Sequence, residues 1–113
     1  MSDFEPVGRV SELPEGVIVA ITFDGARVAL LRRGREIYAF GDRCTHLGVS
    51  LARGGFVDDC SIGCWLHGAR FDPRTGAVLG GPATAPLQIY EVRQGRSADG
   101  EATVELRRPS PDR

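Results

Sequence analysis

Cys44-Thr45-His46 and Cys64-Trp65-Leu66-His67 are two short Cys/His clips, with seventeen residues, 47–63, between them. Each clip offers one thiolate and one imidazole. Two soft sulfur donors with two borderline nitrogens suit zinc or an iron–sulfur cluster, and the ligand count does not choose between them. The order of the ligands does help. Zinc fingers usually place two Cys in one clip and two His in the other, whereas both clips here are mixed. Mixing fits a binuclear iron centre in which one iron takes both thiolates and the other both imidazoles, each clip bridging the two metals. These are also the only two histidines in the chain. For the clips to be ordinary core or surface residues, four coincidences would have to fall at this spacing.

The residues around the clips extend the pattern. Leu47-Gly48 follows the first, Gly68-Ala69-Arg70-Phe71-Asp72 follows the second, and Thr75-Gly76 lies just beyond. Together they resemble the Rieske [2Fe-2S] proteins, whose signature is Cys-x-His, a spacer of this size, and Cys-x-x-His. Gly81-Pro82-Ala83-Thr84-Ala85-Pro86-Leu87 is similar to the proline loop that covers the cluster in that family. The resemblance implies one [2Fe-2S] cluster, with Cys44 and Cys64 on one iron and His46 and His67 on the other. It also implies an all-β fold, an antiparallel sandwich or small barrel, forming a single domain over residues 1–113. The clips would then sit in a rubredoxin-like cluster-binding subdomain at about residues 43–84.

A chain of 113 residues supports one core and leaves no room for a catalytic partner domain. The formal charge of −1 supplies no field that would draw it to nucleic acid or a membrane surface. Residues 1–6 lack a basic and apolar signal segment, and no window approaches the apolar length of a membrane span. These features predict a soluble protein of the cytoplasm. Three cysteines in that compartment argue for metal binding over a disulfide framework. Cys60 is left over, and a small buried hydrophobe explains it better than a ligand or redox sensor.

Along the chain the pattern is one of short strands. Residues 7–10 read as a first strand, ended by Pro14 and Gly16. Val17, Val19, Ile21 and Phe23 alternate with Ile18, Ala20 and Thr22, a β-branched run of period two. Asp24-Gly25 is a hairpin signal, because a two-residue turn of the I′ type needs positive φ at both positions. Residues 28–32 form the return strand, Gly34 permits a second turn, and residues 36–40 deliver the chain to Cys44. Residues 47–52 are apolar but too short for a helix that stands alone, and Gly54-Gly55 ends them. Strands are expected at 56–58, 61–62, 69–71, 87–92 and 102–106, with turns at 72–76 and around Asp99-Gly100. The prolines after residue 107 predict a frayed tail. Such a series of short strands with glycine-rich turns favours an antiparallel sandwich or barrel.

Replacing two thiolates by neutral imidazoles takes negative charge off the reducible iron, which lifts the potential into a window of roughly −150 to +300 mV. High-potential Rieske proteins of the cytochrome bc complexes add a cysteine to each loop, where this chain has Val49 and Leu66. They also place Ser and Tyr two and four residues after the last His, donating hydroxyl hydrogen bonds to sulfur. Ala69 and Phe71 stand there instead, which predicts a potential toward the low end. That is the character of the family's soluble ferredoxin branch, carriers that take electrons from a flavin-dependent NAD(P)H reductase and pass them to a terminal, aromatic-ring-hydroxylating oxygenase. The chain is then an electron-transfer component and not itself an enzyme. The alternatives are a small Rieske subunit of a larger reductase, of the nitrite reductase type, or a zinc-stabilised binding module without redox chemistry. Trp65 departs from the Pro often found at its position. With Leu47 and Leu66 it either packs over the cluster loops or offers partners an apolar tip. Arg53 and Arg70 flank the clips, and solvated surface explains both better than partner steering.

Overall fold

The computed structural model describes residues 4–43, 50–58, 61–64, 69–81 and 85–107. They form a six-stranded and a four-stranded antiparallel sheet. In chain order the strands are β1 Glu5–Arg9, β2 Ile18–Phe23, β3 Ala26–Arg33, β4 Glu36–Gly41, β5 Gly55–Val57, β6 Ile62–Cys64, β7 Arg70–Phe71, β8 Val78–Gly80, β9 Ile89–Arg96 and β10 Ala102–Arg107. The larger sheet runs β1-β10-β9-β4-β3-β2 and the smaller β5-β6-β7-β8. Among the described residues, helix is confined to a 3-10 turn at Val10–Glu12 and a single turn, α1, at Leu51–Gly54. This is the all-β architecture expected, a barrel-like sheet with a small second sheet against it.

The period-two pattern explains how the sheets stack. On β3, Val28 and Leu30 point to one core together with Phe23, Ala39, Val104 and Leu106; Val7, Tyr90 and Val92 pack there too. All six strands of the larger sheet contribute to that core, so the sheet curls around it. Ala29 and Leu31, on the opposite face of β3, meet Leu51, Ile62, Cys64, Ala69 and Phe71 in a second core that also takes Ile18, Phe40 and Leu87. Each fully buried leucine among them contributes about 1.5–3 kcal/mol. The smaller sheet is held against the outer face of β2–β4 by this second core. A hydrogen bond reinforces the joint, since Arg33 of β3 donates from Nη1 to the Asp58 main-chain carbonyl beyond β5.

The expected β2–β3 turn forms as read: Asp24 has φ 53° and Gly25 φ 79°. Val17 lies outside β2 and is 47% exposed, because the alternation begins only where Ile18 pairs with Leu31. The first strand ends one residue earlier than expected, at Arg9, where Glu12 accepts the Arg9 N–H at 3.0 Å and turns the chain into the 3-10 segment. Strand β9 continues to Arg96, four residues past the expected end at Val92, through register pairs reaching Ala102↔Arg96. Strand β8 has no counterpart in the sequence reading. The tail, residues 108–113, lies outside the described residues.

The 72–76 turn links β7 to β8 and is closed by the Gly76 N–H on the Asp72 carbonyl at 2.7 Å. The Asp72 carboxylate accepts from the Arg74 backbone N–H at 2.8 Å and from its guanidinium at 3.2 and 3.3 Å. The side-chain bonds, then the backbone bond, hold the Asp72 carboxyl below its ordinary value near 3.8. A carboxyl so depressed adds stability that is complete above its ordinary value and is lost as pH falls through the lowered one. Urea unfolding at descending acid pH should therefore show Asp72→Asn losing less stability than the parent across that window. Equal acid dependence in the two proteins would contradict the assignment.

Candidate metal centre

The first clip lies between β4 and α1, the second between β6 and β7. The first leaves β4 through Asp42 and Arg43 and returns at Ser50, which bridges Arg43 in antiparallel register. The Leu51 N–H closes the base on the Asp42 carbonyl at 2.8 Å. Cys44, His46 and Leu47 fall within residues 44–49, outside the described residues. The second clip starts from Cys64, the last residue of β6, whose N–H donates to the Ala69 carbonyl at 2.9 Å. Trp65, Leu66 and His67 fall within residues 65–68, also outside the described residues, as do Cys60 and residues 82–84 of the proline loop. Of the four expected ligands the structure therefore describes Cys64.

Cys64 is a free thiol with no exposed surface, packed in the second core. It pairs with Gly55 across β5 and β6, and α1 packs on both strands. The approach is close. A Cβ on Gly55 would stand 2.4 Å from the Leu51 carbonyl oxygen and 3.0 Å from that of Gly63, so only glycine lets the helical turn rest on the sheet. Because α1 directly follows the first clip and β6 carries the second, this packing brings the bases of the two clips together. A buried sulfur donor at one base, with the remaining Cys and His of the two clips adjoining the bases in sequence, fits the donor set of a mixed-ligand iron–sulfur centre. Among the described residues no group of three His, Cys, Asp or Glu gathers as a metal site.

Arg70 departs from the solvated reading. Its guanidinium pairs with Asp58, donates to Ser61 Oγ at 3.0 Å and stacks 5.3 Å from the Phe56 ring centroid. It thus fastens β7 to the β5–β6 connection that leads into Cys64. Arg53 is exposed, as expected.

The residue that sequence reasoning missed is Asp42. Its side chain is wholly buried and accepts from Arg27 Nε and Nη2 at 3.2 and 3.1 Å, from Ser50 Oγ at 2.6 Å and from the Ala52 N–H at 2.8 Å. Leaving an acceptor of such a buried carboxylate unsatisfied costs about 1–3 kcal/mol or more. The available signal was an acid two residues before Cys44 in an otherwise apolar run, with a serine just past the clip.

Comparison with known proteins gives concordant results. Residues 3–91 match the family model described as the Rieske [2Fe-2S] domain. The biphenyl dioxygenase ferredoxin subunit of Pseudomonas sp. (strain KKS102) is 38% identical over 94 residues, 82% of this chain and 86% of the relative. The ferredoxin of carbazole 1,9a-dioxygenase from Nocardioides aromaticivorans IC177 superposes with a TM-score of 0.78 at 34% identity, covering 91% of this chain and 97% of its own. A ferredoxin chain from the complex of reduced oxygenase and oxidized ferredoxin in carbazole 1,9a-dioxygenase gives a TM-score of 0.77 at 32% identity, over 96% and 97% of the two chains.

Proposed function

The chain belongs to the Rieske [2Fe-2S] domain family, and from that premise we propose that it is the ferredoxin of a terminal-oxygenase system of the aromatic-ring-hydroxylating kind. It carries one [2Fe-2S] cluster and is an electron carrier rather than a catalyst, like the ferredoxin subunits it matches. In this reading Cys44 and Cys64 hold one iron, His46 and His67 hold the other, and the subdomain that presents them spans about residues 43–84. The observation that carries the assignment is the buried Cys64 thiol at the end of β6, with the returning arm of the first clip packed on the same strand. The bound cluster supplies one-electron acceptance and donation. The oxygenase partner is supported by a relative solved in complex with one. The electron donor in this reading is a flavin-dependent NAD(P)H reductase, and the compartment is the cytoplasm, where thiols stay reduced and available as ligands.

The protein's own residues set how readily the electron is accepted. Ala69 and Phe71 are wholly buried beside Cys64, and neither carries a hydroxyl. The Ala69 carbonyl is engaged by the Cys64 N–H. No hydroxyl at these two positions donates to sulfur, so the added charge gains less stabilisation there. The expected midpoint potential lies in the lower half of the window of roughly −150 to +300 mV, measurable by optical redox titration.

Visible absorbance and low-temperature EPR of the reduced protein test the reading as a whole. A coloured protein with a rhombic [2Fe-2S] signal is expected; a colourless, EPR-silent, zinc-loaded one overturns it. Native gel filtration separates a carrier from a fixed subunit of a large reductase, which would elute in a stable assembly.

A further inference from the structure

We infer that Asp42 is a positioning residue for the first clip: its buried carboxylate clamps the two ends of the 44–49 segment together and so fixes where Cys44 and His46 are presented. The inference rests on the cluster reading above. Asp42 stands on the outgoing arm of the clip, two residues before Cys44. Its acceptors are spent on the returning arm, Oδ1 on the Ala52 N–H, Oδ2 on Ser50 Oγ, and the main-chain carbonyl on the Leu51 N–H. A third element anchors the clamp. Arg27 of β3 donates two guanidinium bonds to Oδ2, and its carbonyl oxygen accepts the Asp42 N–H at 3.3 Å. The bonds therefore run from the large sheet, through Asp42, to the arm that carries the chain from the first clip into α1.

Apolar contact could bury the same surface, as it buries Phe40 and Leu51. It would not set register. A carboxylate bonded to three elements is directional, and a slip by either arm would strand a charge with no exposed side-chain surface. Arg27 compensates that charge from the solvent side, its own side chain being 43% exposed. A clip whose two ligands belong to two different irons is the kind of site where a small slip of one arm alters both metals.

The test compares Asp42→Ala, Asp42→Asn and Ser50→Ala in the full chain with its cluster. The readouts are the rate of cluster bleaching under an iron chelator and the EPR g-values of the reduced protein. Asp42→Ala is expected to bleach at least tenfold faster with shifted g-values. Asp42→Asn, which keeps an oxygen for the Ala52 N–H and can donate to Ser50 Oγ but turns a donor toward the Arg27 guanidinium, should restore part of the lifetime, and Ser50→Ala should also fall between Asp42→Ala and the parent. Gly100→Ala, which lies in the distant β9–β10 turn at φ 89° with open space around it, serves as a destabilised control and should keep both parental values. Parental lifetime and g-values in Asp42→Ala would overturn the inference. So would bleaching that tracks unfolding midpoint alone, equally in Gly100→Ala, with g-values unchanged. If Asp42→Ala does not fold, Asp42→Asn and Ser50→Ala still decide it, since parental values in both overturn the clamp. A parent protein without a [2Fe-2S] spectrum would instead sink the cluster reading from which the inference starts.

Discussion

Cys64→Ala is expected to leave a folded but colourless protein, with iron and acid-labile sulfide both near zero. The sulfur is wholly buried in the core shared by Leu51, Ile62, Ala69 and Phe71, so losing one atom there costs the apoprotein only about 1 kcal/mol. That is small against the roughly 5–15 kcal/mol of a typical domain. The loss as a ligand is all-or-none, because alanine offers iron nothing. Cys64→Ser separates the two roles further. Its hydroxyl is a hard, protonated donor in place of a soft thiolate, and once buried without a partner it costs about 1–3 kcal/mol that alanine does not. Both variants should therefore be colourless, with serine the less stable of the two in urea. Parent protein, in which bound cluster adds its binding free energy to folding, should lose stability on iron chelation; neither variant should respond. A Cys64→Ala protein that retains iron and the parental EPR signal would return Cys64 to the status of a small core residue.

How far the fold could be read from the residues depended on whether the signal was local. Asp24-Gly25 carries its own backbone requirement, and the β-branched run with Ile18, Ala20 and Thr22 alternating against Val19, Ile21 and Phe23 reports a strand directly, so both were legible. The order β1-β10-β9-β4 was not, since pairing Glu5 with Leu106 joins the two ends of the chain and nothing in either segment encodes the other. Strand β8 escaped because three residues ending in glycine, with Leu79 54% exposed, have neither length nor alternation. Its strand character comes from pairing with β7. Residues 93–96 were passed over for a similar reason: Gln94 and Gly95 are weak strand formers, held extended by β10. At the site, the Cys/His spacing was the loudest signal in the chain. Its supporting residues were far fainter, because Asp42 and Arg27 stand fifteen positions apart and Arg70 reads as a surface charge until Asp58, Ser61 and Phe56 are placed around it.

Gly76→Ala should be among the most destabilising single-methyl changes this protein can suffer. Gly76 has φ 80°, where any other L residue pays roughly 1–2 kcal/mol. A Cβ at this position would also lie 2.3 Å from the Leu87 carbonyl oxygen and 3.0 Å from Ile89 Cγ1. The first of these is a backbone atom and cannot rotate away. Relief requires the chain at Leu87 to retreat, which strains the Leu87 N–H bond to the Gly76 carbonyl at 2.8 Å, worth about 0.5–1.5 kcal/mol. It also loosens Leu87 itself, which is 4% exposed in the core against the small sheet. These increments add to about 1.5–3.5 kcal/mol, before any loosening of Leu87. The comparison with Gly100→Ala isolates the steric part: there φ is similarly positive but nothing lies within 4 Å, leaving only the roughly 1–2 kcal/mol of conformation. In urea unfolding Gly76→Ala should therefore fall well below Gly100→Ala. Because Gly76 and Leu87 bracket the stretch that resembles the proline loop, the same variant should also bleach faster under chelator. Equal unfolding midpoints for the two glycine variants would show that the Leu87 backbone can yield at no cost, and that the contact between the 72–76 turn and the entry to β9 does not hold the small sheet in place.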